Sequence, residues 1–224
     1  MRIVAIVLAA GESRRMGDRN KLLLPMQGKP LLRRTVETVQ GADVSRLIVV
    51  LGHEADKARE VLSGLAVETV YNPDYQVGQM TSVHAGLSAI TGACDGVMIC
   101  LTDQPLLTPQ DLNELIDGFA NRTRGSILVP TWQGQRGNPI LLASEHCETI
   151  VKGETNLGCR RLLEKHPEQI STLAMSNDHV VVDMDTPEAY EQVCSRLHRA
   201  DTVPANPEST PAWEKGNRNG SGNT

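Results

Sequence analysis

The chain has 224 residues, a net charge of −5 and 3% aromatic residues, which excludes a protein that holds nucleic acid through a basic, aromatic-rich surface. Its apolar residues, 40% of the total, are mostly Ala, Val, Ile and Leu, a composition suited to one layered α/β domain. No segment approaches the roughly 18 apolar residues of a membrane span, and the N-terminal apolar run lacks the cleavage region of a signal peptide.

From the N-terminus, apolar runs at Ile3–Leu8, Leu47–Leu51, Val67–Tyr71 and Val97–Leu101 predict buried strands. Between them, Leu32, Val36 and Val39, then Ala58, Leu62 and Leu65, then Val83, Leu87 and Ile90 share helical faces. That alternation is the rhythm of a Rossmann-like, doubly wound, mostly parallel sheet. A further helix is expected from Pro109, with Thr108 as N-cap and Leu112, Leu115, Ile116 and Phe119 inward. Ile127–Val129 and Pro139–Leu142 read as short strands joined by the turn Gln133–Asn138, a small β-hairpin insertion. Leu157–Leu163 reads as a helix, Val180–Val182 as a strand, and Pro187–Arg199 as a closing helix with Tyr190, Val193 and Leu197 inward. Residues 1–200 are read as one domain. The Pro, Asn, Gly and Ser-rich tail, Asp201–Thr224, cannot bury enough apolar surface to order itself and is expected to be disordered.

The five cysteines, Cys94, Cys100, Cys147, Cys159 and Cys194, are odd in number, dispersed and without a C-x-x-C pair. They fit reduced thiols of a cytoplasmic protein better than a disulfide frame or a zinc site.

The first strand runs into Leu8-Ala9-Ala10-Gly11-Glu12-Ser13-Arg14-Arg15-Met16-Gly17, with Lys21 shortly after. A glycine loop at a strand end, followed by fixed cations, offers backbone N–H groups and positive charge to a polyphosphate. The spacing meets neither the dinucleotide G-x-G-x-x-G nor the Walker G-x-x-x-x-G-K-[ST] pattern. An ordinary strand-to-helix turn with solvated basic residues is the alternative.

Three other polar clusters follow predicted strands: Asn72–Ser82, Thr102-Asp103-Gln104-Pro105 and Asp183-Met184-Asp185-Thr186-Pro187. In open α/β sheets, ligands bind beyond the carboxyl ends of strands. Asp103 follows a buried strand and can point into such a cleft; Asp185 reads either as a helix-start carboxylate or as a second acid of the site. Two carboxylates without a His or Cys cluster suit Mg²⁺, a hard cation that shares phosphate oxygens. The histidines form no set, and neither Ser13 nor Ser82 sits in a G-x-S-x-G elbow.

These residues resemble the MobA-like nucleotidyltransferases, and most closely the molybdenum cofactor cytidylyltransferases. The likeness extends in order from the Leu8–Gly17 loop with Lys21-Leu22-Leu23-Leu24-Pro25 to Asn72-Pro73, Gly78-Gln79-Met80 and Ser82. It continues through Thr102-Asp103-Gln104-Pro105, Gly137-Asn138-Pro139, Gly158–Leu163 and Asp183–Glu188. Ala10 and Thr102-Asp103-Gln104-Pro105 point to the cytidylyl side, because the guanylyl relatives usually carry Leu-Ala-Gly-Gly and Gly-Asp-Met-Pro there. The resemblance implies transfer of CMP from CTP to the terminal phosphate of molybdopterin, with release of pyrophosphate and delivery of the product to a molybdenum hydroxylase apoenzyme. It places Lys21, Arg15 and the Gly11 loop on the phosphates, and Mg²⁺ on Asp103 and Asp185, with Asp183 the weaker candidate. Leu8, Ala9, Ala10, Gly11, Ser13, Gly78, Ser82 and Thr102 would line the nucleotide, and Gly137 and Asn138 the acceptor. The competing readings are a guanylyltransferase on the same cofactor, a sugar-phosphate nucleotidyltransferase, and a non-catalytic carrier of molybdopterin cytidine dinucleotide.

Overall fold

A computed structural model describes residues 1–17, 19–152 and 167–202. The expected helix at Leu157–Leu163, and the tail beyond Thr202, lie outside the described residues.

Strand β1 (Ile3–Ala9) forms the spine of the molecule, with all seven residues buried. It pairs in parallel with β4 (Arg46–Leu51) on one side and β6 (Gly96–Leu101) on the other. Because both its faces are covered, it reads as an unbroken apolar run. Ile3, Ala5, Val7 and Ala9 point into one core, and Val4, Ile6 and Leu8 into the other, the period of two that a strand imposes.

The first core takes Leu32, Val36 and Val39 of α1 (Leu31–Gln40), Ala55 and Ala58 of α2 (Ala55–Val61), and Leu112, Leu115, Ile116 and Phe119 of α4 (Pro109–Ala120). The opposite core takes Val83 and Leu87 of α3 (Gln79–Ser88) and Ile150 of α5 (Glu145–Val151). The sheet is therefore doubly wound, as the alternation predicts. Thr108 caps α4 as expected, in a full capping box with Asp111.

Among the described residues the sheet order is β10-β7-β9-β6-β1-β4-β5, with β8 paired to β7. Strand β5 (Glu68–Tyr71) lies at the edge and is largely exposed, so this predicted strand forms but is not buried. A hairpin forms with a tighter turn than expected: β7 (Ile127–Trp132) turns through Gln133 and Gly134, both at positive φ, into β8 (Gln135–Arg136), which lies inside the expected turn. Positive φ at both central residues matches the twist of the flanking strands, and glycine carries the second position without steric penalty. Strand β9 (Ile140–Ala143) then runs antiparallel between β6 and β7. A two-stranded ribbon of β2 (Pro25–Met26) and β3 (Lys29–Pro30) precedes α1.

The structure corrects one expected element. Val180–Val182 is not a strand; the last strand is β10 (Ile170–Ala174), parallel to β7 at the other edge. Val180 is fully buried, as its apolar surroundings in sequence suggest. Its carbonyl, however, accepts from the Gln104 side chain at 2.7 Å and the Asn138 amide at 2.9 Å, leaving no ladder partner to continue. Residues 175–186 therefore cross the strand ends as a strap before α6 (Pro187–Thr202). The helix buries Val193 and half-buries Tyr190 and Leu197, as expected.

Candidate active site

The loop after β1 is held by its own short-range contacts. Ser13 adopts φ 54°, an uncommon conformation for a residue with a side chain. Its carbonyl accepts from the Met16 amide at 2.8 Å, and its hydroxyl accepts from the Lys21 amide at 3.1 Å. Buried Met16 anchors the turn from below. Gly11 is exposed, with open space where a Cβ would stand, so a ligand can approach its backbone closely.

Lys21 opens a short helical turn capped by Asn20, whose side-chain oxygen accepts from the Leu22 amide at 3.0 Å. With the backbone fixed, the lysine stem reaches across the strand ends. Its Nζ lies 3.0 Å from Asp103 Oδ2 and 2.9 Å from Asp185 Oδ1. Arg15 meets the other oxygen of Asp185 at 2.6 Å. Carboxylates 82 residues apart in sequence thus converge on one ammonium opposite the glycine loop.

Burial works against the charged form of Lys21, but the charges and hydrogen bonds of Asp103 and Asp185 outweigh it and raise its pKa. Asp183 shares the strap; burial, then the neighbouring charges of Asp185 and Asp103, push its carboxyl up.

A cleft of about 200 Å³ lies beside this cluster, lined by Leu8, Ala10, Gly11, Lys21, Ser82, Thr102 and Asp103 among others. Thr102 fastens the end of β6 to β1, its hydroxyl donating to the Leu8 carbonyl at 3.2 Å. Ser82, on the first turn of α3, accepts from the buried Asn72 side chain at 3.0 Å. Of the other residues singled out from the sequence, Ala9 is buried in the sheet and Gly78 caps α3 outside the cleft wall. Gly137 and Asn138 meet the strap instead: a Cβ at Gly137 would stand 2.2 Å from the Val180 carbonyl oxygen.

Tyr75 and Gln79 also line the cleft. Gln79 belongs to the Gly78–Met80 turn that the resemblance implies beside the base and ribose, whereas Tyr75 falls inside the polar cluster Asn72–Ser82 without a motif of its own. Tyr75 packs against Gly52, where a Cβ would come within 2.7 Å of it.

The donor set fits a hard divalent cation. Asp103 Oδ1 is buried with no hydrogen-bond partner among the described residues, an expensive state for a carboxylate oxygen unless a cation or donor meets it. No group of three or more His, Cys, Asp or Glu residues that could hold a metal ion occurs among the described residues.

The glycine loop, the lysine beside it, and the carboxylates of Asp103 after β6 and Asp185 on the strap suit the handling of a nucleotide's phosphates. Residues 5–170 match the family described as the MobA-like NTP transferase domain, and the chain belongs to that family. It is 30% identical to the purine catabolism protein PucB of Bacillus subtilis over 201 residues, covering 85% of this chain and 95% of that protein. It is 27% identical to a probable molybdenum cofactor guanylyltransferase of Pyrococcus horikoshii, over 70% of this chain and 80% of the relative. Other curated relatives are bifunctional GlmU proteins, of which the chain spans 24 to 44% of the length. Among solved structures, Rv0371c of Mycobacterium tuberculosis superposes with a TM-score of 0.77 at 25% identity, over 87% of this chain and 97% of the other.

Proposed function

We propose that this transferase moves CMP from CTP to the terminal phosphate of molybdopterin, forming molybdopterin cytosine dinucleotide and pyrophosphate. The observation that carries the reading is the meeting of Lys21 with both Asp103 and Asp185 at the edge of the Gly11 cleft. An oxygen of the acceptor phosphate forms a bond to the α-phosphorus of CTP. The bond from that phosphorus to the α,β-bridging oxygen breaks, and its electron pair leaves with pyrophosphate.

Such a transfer asks the protein mainly for alignment and charge neutralisation. Lys21, Arg15 and the amides of the Gly11 loop hold the β- and γ-phosphates. One such cation at about 4 Å contributes at most ~4 kcal/mol at an effective dielectric near 20. Asp103 and Asp185 would hold Mg²⁺, which supplies further neutralisation of the phosphates when bound. Leu8, Ala10, Gly11, Ser82 and Thr102 support this assignment by lining the cleft, and the reading also assigns Ala9, Ser13 and Gly78 to the nucleotide. Gly137 and Asn138 are assigned to the acceptor end, next to the strap that carries Asp185.

The product would pass to a molybdenum hydroxylase apoenzyme in the cytoplasm. No helix among the described residues is long and apolar enough to cross a membrane. A guanylyltransferase on the same cofactor is the second reading, favoured by the Pyrococcus relative. Pyrophosphate release with CTP, GTP, ATP and UTP, with and without molybdopterin, separates the two. The proposal expects CTP and acceptor to be required together; preference for GTP would transfer it to the guanylyl reading.

A further inference from the structure

The contacts of Lys21 carry an inference about how the site handles its cation, which rests on the metal assignment just made. We propose that Lys21 is a resident counter-ion standing on the metal position, so that a divalent cation can bind Asp103 and Asp185 only by displacing the ammonium into the cleft.

One ammonium touches both carboxylates, at 3.0 and 2.9 Å, through one oxygen of each. Mg²⁺ binds oxygen at about 2.0–2.1 Å, so it must draw the same two groups closer together than the lysine does. A divalent ion and an ammonium in that gap would repel strongly, and one has to go.

The lysine alone does not saturate the acids. Asp103 Oδ1 remains buried and without a partner among the described residues, a lone-pair site that a cation would satisfy. Arg15 does not compete for the gap: it meets Asp185 through Oδ2, with its own side chain 71% exposed.

The displaced ammonium has a destination. Ser13 and the turn at Lys21–Leu23 pin the backbone, so only the four-carbon stem can swing. Lys21 and Gly11 line the same cleft, so the loop amides offer an anion-binding surface on the wall the stem can swing along. Metal entry and delivery of a cation to the triphosphate become a single event. Ligand-free protein is also spared a set of uncompensated carboxylates, which would otherwise be costly at this burial.

The test is Mn²⁺ binding to nucleotide-free protein, read by the electron paramagnetic resonance of free Mn²⁺. Lys21→Met should bind Mn²⁺ about tenfold or more tightly than the unmodified chain, because no ammonium has to be expelled. Arg15→Met removes the same charge from the same acid and should tighten binding far less. Equal tightening in the two variants would reduce the effect to general electrostatics and overturn the proposal, as would unchanged or weaker binding in Lys21→Met. A second readout needs no stable variant: the ¹⁵Nζ resonance of Lys21 in the unmodified chain should shift with Mg²⁺ and saturate with it. A resonance that stays put while the metal binds also overturns it. Failure of CTP turnover alongside the expected Mn²⁺ pattern would sink the functional reading and leave this inference standing.

Discussion

The amide of Met184 donates to the carbonyl of Asp103 at 2.8 Å. The residue before one site carboxylate is thereby tied, main chain to main chain, to the residue bearing the other. Met184 itself is fully buried and holds the strap in the third apolar cluster, with Met26, Leu31 and Val193. The frame of the acidic pair therefore does not depend on the carboxylates it carries.

Asp103→Ala should accordingly leave the fold intact and abolish metal-dependent pyrophosphate release. Near-normal turnover would remove Asp103 from the chemistry.

Lys21→Ala is expected to slow pyrophosphate release by about 10²- to 10³-fold at saturating nucleotide, the rate equivalent of roughly 3–4 kcal/mol. Single-turnover rates check it, and unchanged rates would mean that the loop only fills space.

Asp111 accepts from Thr108, Asn177 and His179, and so fastens the strap to the start of α4. Burial opposes its ionisation, but the bonds from His179, Asn177 and Thr108 prevail and hold its carboxyl far below the usual range. A depressed folded-state pKa contributes stability above the unfolded value of about 3.9, and loses it as pH falls toward the folded one. Asp111→Ala should cost about 2–4 kcal/mol near neutrality. Urea denaturation across pH should show the gap between the two proteins closing as pH falls below about 4.

Gly137→Ala would drive a methyl group into the Val180 carbonyl, which stands 2.2 Å from the added carbon. A backbone neighbour cannot swing aside like a side chain. The variant should lose about 2 kcal/mol or more in denaturant melts, and its turnover should fall because the displaced strap carries Asp185.

Gly52→Ala places a methyl 2.7 Å from Tyr75 and 2.8 Å from the Ala10 side chain. Pushing Tyr75 toward the cleft should raise KM for the nucleotide about tenfold, with kcat less affected, a split that steady-state kinetics reads directly.

The sequence by itself determined the doubly wound core. The apolar run Ile3–Leu8 and the helical faces of Leu32, Val36 and Val39 or Leu112, Leu115 and Phe119 are local periodicities, and burial on two sides of a parallel sheet follows from them. It also marked Gly11 and Asp103, because a glycine or an acid after a buried strand is legible without knowing its neighbours, and Lys21 as a cation shortly after the glycine loop. The pairing of Asp185 with Asp103 was implied by the resemblance; tertiary structure alone decided that the Lys21 ammonium bridges them, that Arg15 reaches Asp185, and that Val180–Val182 is a strap. Those outcomes rest on partners far away in the chain, such as Gln104, Asn138 and Asp111. Val180 looks apolar enough for a strand; where its carbonyl found hydrogen-bond donors was settled only when the chain folded.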